Sequence, residues 1–285
     1  MPTEVLVRVH AASVNPVDAI IRAGIFPLLG EPPFVLGWDI SGVVEHVVPG
    51  VTRFQEGDEV FGMPFFPRPA SAYADYVVAP SRQLARKPRS IDHAQAAALP
   101  MAGLTAWQSL VDVADVKPDD RVLIHGAGGG VGHLAVQIAK SRGAYVIGTA
   151  SAGKHDLLRS LGADALIDYR THDFGAEVRD VDLVLDLIAG GYAERSIDVL
   201  RPGGLLVTAI ERTNTELAAR VEEAGRRFAG ISVEPDRVGL EALAALADAG
   251  DLHVHLKRVI PLEQAAAAHA LVEGGGLTGK VVLTL

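Results

Sequence analysis

A glycine-rich turn, "GAGGGVG" at residues 126–132, is the part of the sequence best suited to binding a charged ligand. An apolar strand pattern (122–124) leads into it and an amphipathic helix pattern (133–140) follows it. Backbone N–H groups at the start of that helix would face a bound diphosphate. The strict G-x-G-x-x-G spacing is absent, and the nearest pattern is A-x-G-x-x-G with Ala127 in the first place. The turn predicts a dinucleotide site, although an isolated motif of this kind fits an unrelated strand-to-helix junction about as well.

The identity of the dinucleotide should show at the end of the next strand. An acidic side chain about 20 residues on would take the ribose 2′-hydroxyl of NAD. Here the segment reads "GTASAGKHD", so Ser151 and Lys154 precede the first acid, Asp156. A hydroxyl and an ammonium would bind a 2′-phosphate, which a carboxylate would repel. The segment predicts NADPH rather than NADH, and the alternative is that Lys154 is only a solvated helix residue.

The chain on either side of this candidate site shows two different patterns of apolar residues. Residues 1 to about 90 carry short apolar or alternating runs separated by Gly, Pro and Asp, which is typical of a barrel or sandwich. From "RVLIHGA" to "FAGISVEPD" apolar runs alternate with helical segments, which predicts a parallel sheet covered on both faces. The tail after residue 255 contains a helix and a final strand that could return to the first lobe. The sequence therefore predicts an α/β protein with a doubly wound sheet and a second, β-rich lobe.

Composition narrows the class of partner. The chain has 35 acidic and 26 basic residues, a net charge of −9, and no Lys/Arg run, so the electrostatic signature of nucleic-acid binding is missing. The absence of cysteine removes disulfides, thiolate metal sites and a cysteine nucleophile, and fits a cytoplasmic location. No apolar run approaches the roughly 20 residues of a membrane span. We expect a small-molecule partner, with neither nucleic acid nor membrane.

Taken together, the motifs resemble the medium-chain dehydrogenase/reductase superfamily, specifically its zinc-independent quinone oxidoreductase-like branch. The likeness covers almost the whole chain and depends on the order and spacing of these segments: "VLVRVHAASVNPVD", "VLGWDISGVVEHVVPGVTRFQEGDEVFG", "ALPMAGLTAWQSL", "GAGGGVGHLAVQIAKSRGAYVIGTAS", "LGADALIDY", "LRPGG" and "GKVVL". The resemblance implies a GroES-like β-barrel lobe, formed by N- and C-terminal segments, and a Rossmann lobe. We predict a substrate lobe at 1–95, an NADPH-binding Rossmann domain at 96–250 and a return to the substrate lobe at 251–285.

The resemblance also implies roles for single residues. The family places the cofactor diphosphate on the turn that here spans 127–132, with Gly130 and Val131 donating backbone N–H groups. Ser151, Lys154 and Tyr169 match the residues that hold the 2′-phosphate in the NADPH-using members, and Thr105 matches a residue near the nicotinamide ribose. The predicted cofactor-binding residues are Thr105, Gly128, Gly129, Gly130, Val131, Gly132, Ser151, Lys154 and Tyr169.

The positions that hold catalytic zinc in other members of the superfamily correspond here to Asn15, Trp38 and Met101. None of the three is a credible zinc ligand, so the sequence predicts no metal site and disfavours a zinc alcohol dehydrogenase. Without a Lewis acid, conjugated acceptors are easier hydride acceptors than simple ketones, because the charge is delocalised. We expect an NADPH-dependent reductase of quinones or activated alkenes. The alternative is a catalytically weak NADPH-binding sensor or structural protein.

Candidates for a catalytic side chain are few. Asn15 and Asp18 match the family's N-x-x-D pattern, and the Asn15 amide could donate a hydrogen bond to a substrate oxygen. The competing interpretation of Asp18 is a cap on the helix "AIIRAG".

The sequence begins almost at the segment "EVLVRV", which in the family usually follows a strand pair and a loop. One interpretation is that the start of the sequence is mis-assigned or shortened. The other is a barrel lobe that lacks one edge, with Val5, Val7 and Val9 in a strand short of a partner, and we then expect an exposed edge, a dimer contact or reduced stability. Relatives often dimerise through the last Rossmann strands, and "FAGISVEPD" is suitably apolar, so we expect a homodimer.

Overall fold

The amino-terminal and carboxyl-terminal parts of the chain build one sheet, and the middle of the chain builds another. The structure is a computed structural model that describes residues 3–188 and 190–285. The strands are β1 (Glu4–Val14), β2 (Ile40–Val47), β3 (Glu59–Gly62), β4 (Tyr76–Pro80), β5 (Leu84–Arg86), β6 (Arg121–His125), β7 (Tyr145–Thr149), β8 (Ala165–Ile167), β9 (Val181–Asp186), β10 (Leu200–Thr208), β11 (Arg227–Gly230), β12 (Leu256–Pro261) and β13 (Lys280–Thr284). The α-helices are α1 (Pro16–Arg22), α2 (His93–Ala97), α3 (Pro100–Trp107), α4 (Gly132–Ser141), α5 (His155–Ser160), α6 (Phe174–Glu177), α7 (Tyr192–Arg195), α8 (Thr215–Glu223), α9 (Arg237–Ala249) and α10 (Ala265–Glu273).

The first unit comprises Met1–Leu104 and Glu234–Leu285. Its seven-stranded sheet has the order β12-β13-β1-β2-β3-β5, with β4 paired to β1 beside this path. Strand β1 pairs with β2 over most of its length (residues 5–12), with β4 over residues 4–8 and with β13 over residues 11–14. The alternation of apolar residues along β1 directs every second side chain into the core of this unit. This is the GroES-like lobe that the sequence predicts.

The prediction that β1 lacks a partner is wrong. Val5, Val7 and Val9 are buried, and the strand segment that carries them pairs with β2 on one side and β4 on the other. The unpartnered edge lies one strand further out, because β4 pairs only with β1 among the described residues. Tyr76 and Val78 are half-exposed on β4, while the alternating Val77 and Ala79 are buried.

The second unit, Thr105–Val233, contains a six-stranded sheet in the order β11-β10-β9-β6-β7-β8. All of its strand pairs are parallel, which confirms the predicted doubly wound α/β architecture. Chain order reverses at β6, which lies between β7 and β9. Ligands of open parallel sheets bind beyond the carboxyl ends of the strands at such a reversal. The glycine-rich turn follows β6 and therefore occupies that position.

The observed units divide the chain differently from the predicted boundaries at 95/96 and 250/251. Residues 96–104 and 234–250 belong to the first unit. Helix α9 is held there because Ser90 donates from its backbone N–H to Asp248 (2.9 Å) and from its hydroxyl to the Ala247 carbonyl (3.0 Å). Leu243 of α9 also lies against Gly103. Such long-range contacts do not show in a local sequence pattern. No helix in the described part of the chain is both long enough and apolar enough to span a membrane.

Candidate functional site

The glycine-rich turn is a tight backbone loop between β6 and α4. The Ala127 N–H donates to the Thr149 carbonyl at the end of β7 (3.1 Å), and the Gly129 N–H donates to the Gly126 carbonyl (2.9 Å). A ring nitrogen of His133, in the first turn of α4, lies 2.9 Å from the Gly129 carbonyl. These contacts tie the turn to both flanking elements and fix the start of the helix.

Two glycines of this turn, Gly126 and Gly132, are required by the backbone geometry. Gly126 has a φ of +71°, a conformation that L side chains rarely adopt. A Cβ on Gly132 would lie 2.2 Å from the Gly126 carbonyl oxygen and 2.7 Å from Ala127 Cα. The N–H groups of Gly130 and Val131 find no acceptor among the described residues. Bare backbone with available N–H groups at a helix start is the geometry that binds a diphosphate, so the residues present fit a dinucleotide.

Lys154 lies against the same turn. A Cβ on Gly128 would be 2.5 Å from Lys154 Cδ, so the alkyl part of the lysine packs over the glycine. Ser151 lies two residues after the end of β7 in extended conformation, and its carbonyl accepts the Lys154 N–H (2.9 Å) in a single 3₁₀ turn. The structure thus brings Lys154 to the glycine turn and places Ser151 on the segment that leads to it.

The remaining predicted cofactor residues lie at separate positions. Tyr169 follows β8, the neighbour of β7 in the sheet, and its side chain is 45% exposed. The guanidinium of Arg170 lies 5.8 Å from the Tyr169 ring centre and adds a cation that the sequence did not single out. Thr105 is buried in α3, and its carbonyl accepts a hydrogen bond from the Ser109 hydroxyl (2.7 Å). Its role near a nicotinamide ribose stays a prediction.

His125, the last residue of β6, is a buried polar group that sequence analysis missed. One ring nitrogen lies 3.1 Å from the Thr149 hydroxyl and the other 2.9 Å from the Ser196 hydroxyl. Because Ser196 donates to the Tyr192 carbonyl (2.7 Å), its oxygen accepts from His125, which identifies Nε2 as the protonated nitrogen. Burial, with a smaller contribution from the Arg195 charge, lowers the His125 pKa from 6.5 to about 3. The imidazole is a neutral structural link directly before the glycine-rich turn.

The lowered pKa of His125 has a consequence for acid stability. The unfolded chain takes up a proton on this histidine near pH 6.5, whereas the folded chain does so only near pH 3. Between pH 6.5 and pH 3 the unfolded chain therefore binds a proton that the folded chain does not. As the pH falls through this range, the free energy of unfolding decreases by at most about 1.4 kcal/mol per pH unit. In urea unfolding, the stability difference between the parent protein and His125→Gln should shrink between pH 6.5 and 4.5. A difference that stays constant, or an NMR titration that shows imidazole protonation above pH 5, would contradict this.

A second buried polar group lies in the first unit around Asp39. This carboxylate accepts hydrogen bonds from the Ser13 hydroxyl (2.6 Å), the Asn15 amide (2.9 Å) and the Met101 N–H (2.9 Å). Lys280 donates to the Asn15 amide oxygen. Burial raises the pKa of Asp39 and lowers that of Lys280, and each charge opposes the shift of the other. Sequence analysis did not identify this pair.

The structure places both predicted catalytic residues in this buried group. Asn15 is 3% exposed, with its amide nitrogen engaged by Asp39 and its amide oxygen by Lys280. Asp18 is the third residue of α1 and accepts the Asn15 backbone N–H (2.8 Å), so it stabilises the helix start from inside the first turn and is not the N-cap itself. Both residues therefore have structural partners, and their catalytic roles stay proposals.

Asp18 also faces groups from two other elements. Burial raises its pKa to about 7, and the Asn15 N–H opposes that shift. Its second oxygen, the nearby Tyr73 hydroxyl and His269 Nδ1 are buried without a hydrogen-bond partner at full bonding geometry among the described residues. The Tyr73 and His269 rings meet edge to face, with centres 5.9 Å apart. These atoms form a polar interior beside the Asp39–Lys280 pair.

The positions that correspond to zinc ligands have other partners. Trp38 is fully buried and donates from its indole nitrogen to the Arg68 carbonyl (2.8 Å), and Asn15 is engaged as described. Within residues 3–188 and 190–285, no group of three or more His, Asp or Glu side chains is arranged to hold a metal ion.

Comparison with known proteins agrees with this architecture. Residues 1–89 match the family model described as "Alcohol dehydrogenase GroES-like domain", and residues 161–283 match "Zinc-binding dehydrogenase". A 2-haloacrylate reductase from Burkholderia sp. is 36% identical over 306 residues, which cover 99% of this chain and 91% of that protein. The chain belongs to the medium-chain dehydrogenase/reductase superfamily, among its quinone oxidoreductase-like members, and is an oxidoreductase of that family.

Solved structures extend the comparison. The quinone oxidoreductase from Coxiella burnetii has a TM-score of 0.93 at 36% identity, covering 100% of this chain and 91% of that one. The Escherichia coli quinone oxidoreductase, solved in complex with NADPH, has a TM-score of 0.85 at 28% identity, covering 100% and 92%. The chain also matches the pikromycin polyketide synthase component PikAII of Streptomyces venezuelae at 37% identity, but it spans only 8% of that much longer protein.

Proposed function

We propose that the protein is an NADPH-dependent oxidoreductase that transfers hydride to quinones or to activated, α,β-unsaturated carbonyl alkenes without a metal ion. The observation that carries the proposal is the position of Lys154, whose side chain packs on Gly128 of the nucleotide turn. A cation there matches a 2′-phosphate, whereas an NAD-selective site would present a carboxylate. The Escherichia coli relative solved with NADPH supports the same choice.

The proposed roles of this chain's residues follow from the geometry. When bound, the cofactor supplies the hydride. The N–H groups of Gly130 and Val131, which have no acceptor among the described residues, bind its diphosphate, and Ser151, Lys154 and Tyr169 hold the 2′-phosphate. Arg170 adds positive charge beside Tyr169. Thr105 orients the nicotinamide ribose.

Support for a conjugated acceptor comes from the first unit and from the relatives. Asn15, Trp38 and Met101 offer no ligand set for zinc, so polarisation of a simple carbonyl by a metal is not available from these positions. Segment 20–35 exposes the apolar side chains of Ile25, Phe26 and Val35, which suit an apolar acceptor. The haloacrylate reductase and the quinone oxidoreductases are named for acceptors of this class.

Steady-state turnover tests this proposal. With 1,4-benzoquinone, 9,10-phenanthrenequinone and a short 2-alkenal as acceptors, we expect NADPH oxidation to proceed at the same rate before and after exhaustive treatment with a chelator. A simple ketone should be a poor acceptor. Activity that disappears with the chelator and returns with zinc would overturn the metal-free mechanism.

A catalytically weak NADPH-binding sensor or structural protein is the second candidate. It is favoured by the commitment of the Asn15 amide, whose nitrogen donates to Asp39 and whose oxygen accepts from Lys280, so that Asn15 is not available to a substrate oxygen in this arrangement. Tight NADPH binding without turnover of any of these acceptors would support the sensor or structural protein in place of the reductase.

We also propose a cytoplasmic homodimer joined at β11. This strand is the edge of the six-stranded sheet and pairs on one side only, with β10, among the described residues. Pairing of two such edges would continue the sheet across a two-fold axis. Sedimentation that shows only monomer at micromolar concentration would refute the dimer.

A further inference from the structure

A groove of about 410 Å³ lies on the first unit, between the end of β5 and helix α9. Its volume falls in the range of small-molecule sites, about 300–1,000 Å³. Its charged lining consists of Arg53, Arg86, Lys87, Arg89, Glu241 and Asp248. We call this the basic groove. All of its lining residues belong to the first unit, whereas the nucleotide turn belongs to the second.

The charge of the basic groove is opposite to that of the chain. With the partners of its lining residues (Asp58, Glu59 and Arg237) included, the groove holds five cationic and four acidic side chains, a local excess of one positive charge in a protein of net charge −9. A concave site with an excess of one sign of charge attracts ligands of the opposite sign. The groove therefore favours an anion.

The two carboxylates of the groove are already occupied by other donors. Glu241 is held by both of its oxygens from Arg237 (2.7 Å each), and its approach to Arg53 is a long 3.9 Å. Asp248 accepts the Ser90 backbone N–H (2.9 Å), a bond that is the main cause of its lowered pKa. The two carboxylates still act on the arginines at longer range, because Glu241 lies 3.9 Å from Arg53 and the Arg89 charge contributes to the lowered pKa of Asp248.

Two of the four cations are left with hydrogen-bonding capacity. Lys87 donates to the Pro88 and Ile91 carbonyls and lies 3.4 Å from a Glu59 carboxylate oxygen, and Arg86 pairs with Asp58 (2.5 Å). By contrast, the Arg89 side chain forms no hydrogen bond or ion pair within the described part of the chain, and the 42%-exposed Arg53 side chain has only its long contact with Glu241. Guanidinium groups without a close partner can donate two hydrogen bonds to the oxygens of a phosphate.

We propose that the basic groove is a binding site for a small molecule bearing a phosphate monoester or diphosphate, held by Arg53 and Arg89. Arg86 and Lys87 contribute positive potential from positions fixed by their own partners. The apolar part of the ligand packs against Phe54 and against Ala244 of α9, where a small side chain leaves room. The site is independent of the reductase activity proposed above.

Calorimetric titration of the full chain with inorganic pyrophosphate tests this site. The informative variant is the double substitution Arg53→Gln/Arg89→Gln, which removes the two available guanidinium groups. Loss of two charge-assisted contacts should weaken binding by at least roughly tenfold. The charge-matched control, Arg179→Gln/Arg220→Gln, removes two exposed arginines of the second unit and should bind like the parent protein.

A third variant distinguishes the basic groove from the nucleotide turn, which could also bind pyrophosphate. Lys154→Ala should leave the groove affinity unchanged. Pyrophosphate binding that is lost in Lys154→Ala but retained in Arg53→Gln/Arg89→Gln would overturn the proposal, and so would an absence of binding to the parent protein. Equal weakening in the groove variant and its control would show only a general charge effect and would also overturn it.

Discussion

Gly132→Ala is expected to lower the affinity for NADPH by roughly 100-fold, a loss of about 2.7 kcal/mol. The new methyl carbon would lie 2.2 Å from the Gly126 carbonyl oxygen and 2.7 Å from Ala127 Cα. Both atoms are backbone of the same turn, so they cannot move aside as a side chain could. The turn must shift, and the N–H groups of Gly130 and Val131 would no longer converge on the diphosphate. Fluorescence titration with NADPH measures the loss.

Gly153→Ala is the matched control. A Cβ at Gly153 meets nothing within 4 Å, and that residue lies two positions after Ser151. This variant should bind NADPH like the parent protein. Should Gly132→Ala fail to fold, Gly128→Ala keeps the test available, because its methyl group would meet only the flexible Lys154 side chain. Normal NADPH affinity in both Gly132→Ala and Gly128→Ala would show that the turn does not bind the cofactor.

Lys154→Ala is expected to lower kcat/KM with NADPH by roughly 10- to 100-fold, since one charge-assisted contact with a phosphate contributes about 1.5–3 kcal/mol. The value with NADH should change little, because NADH lacks the 2′-phosphate. The preference between the two cofactors would therefore narrow or reverse. Parallel initial-rate measurements with NADPH and NADH at varied concentration provide the comparison.

Lys117→Ala serves as the control for lost charge. Lys117 is an exposed lysine of the second unit paired with Asp115 at 2.6 Å. Its removal should leave both cofactors unaffected. If Lys154→Ala keeps the full preference for NADPH, Lys154 is the solvated helix residue of the alternative interpretation and the 2′-phosphate is held elsewhere.

The features that could be predicted from the sequence are formed by residues close together in the chain. The glycine-rich turn could be predicted because a strand, the glycines and a helix follow one another directly in the sequence. Lys154 could be predicted because β7 ends only a few residues before it. The parallel sheet could likewise be predicted, because apolar runs of characteristic length alternate with helical segments.

The parts that sequence could not predict depend on residues distant in the chain. Asn15 looked like a free donor, yet the fold brings it to Asp39 and to Lys280, 265 positions away. The partnering of β1 by β4 and the attachment of α9 to the first unit arise in the same way from tertiary contacts. His125 has the pattern of an ordinary strand residue, because its partners lie later in the chain: Thr149 ends β7, and Ser196 follows α7.

Single-turnover reduction of 9,10-phenanthrenequinone by NADPH deuterated at the transferred C4 position tests the central claim most directly. We predict rapid oxidation of NADPH in the stopped-flow instrument, slower oxidation of NADH, and a primary deuterium isotope effect on the NADPH reaction, without added metal. Bound NADPH that is not oxidised by this quinone, by 1,4-benzoquinone or by a 2-alkenal would contradict the assignment as a reductase.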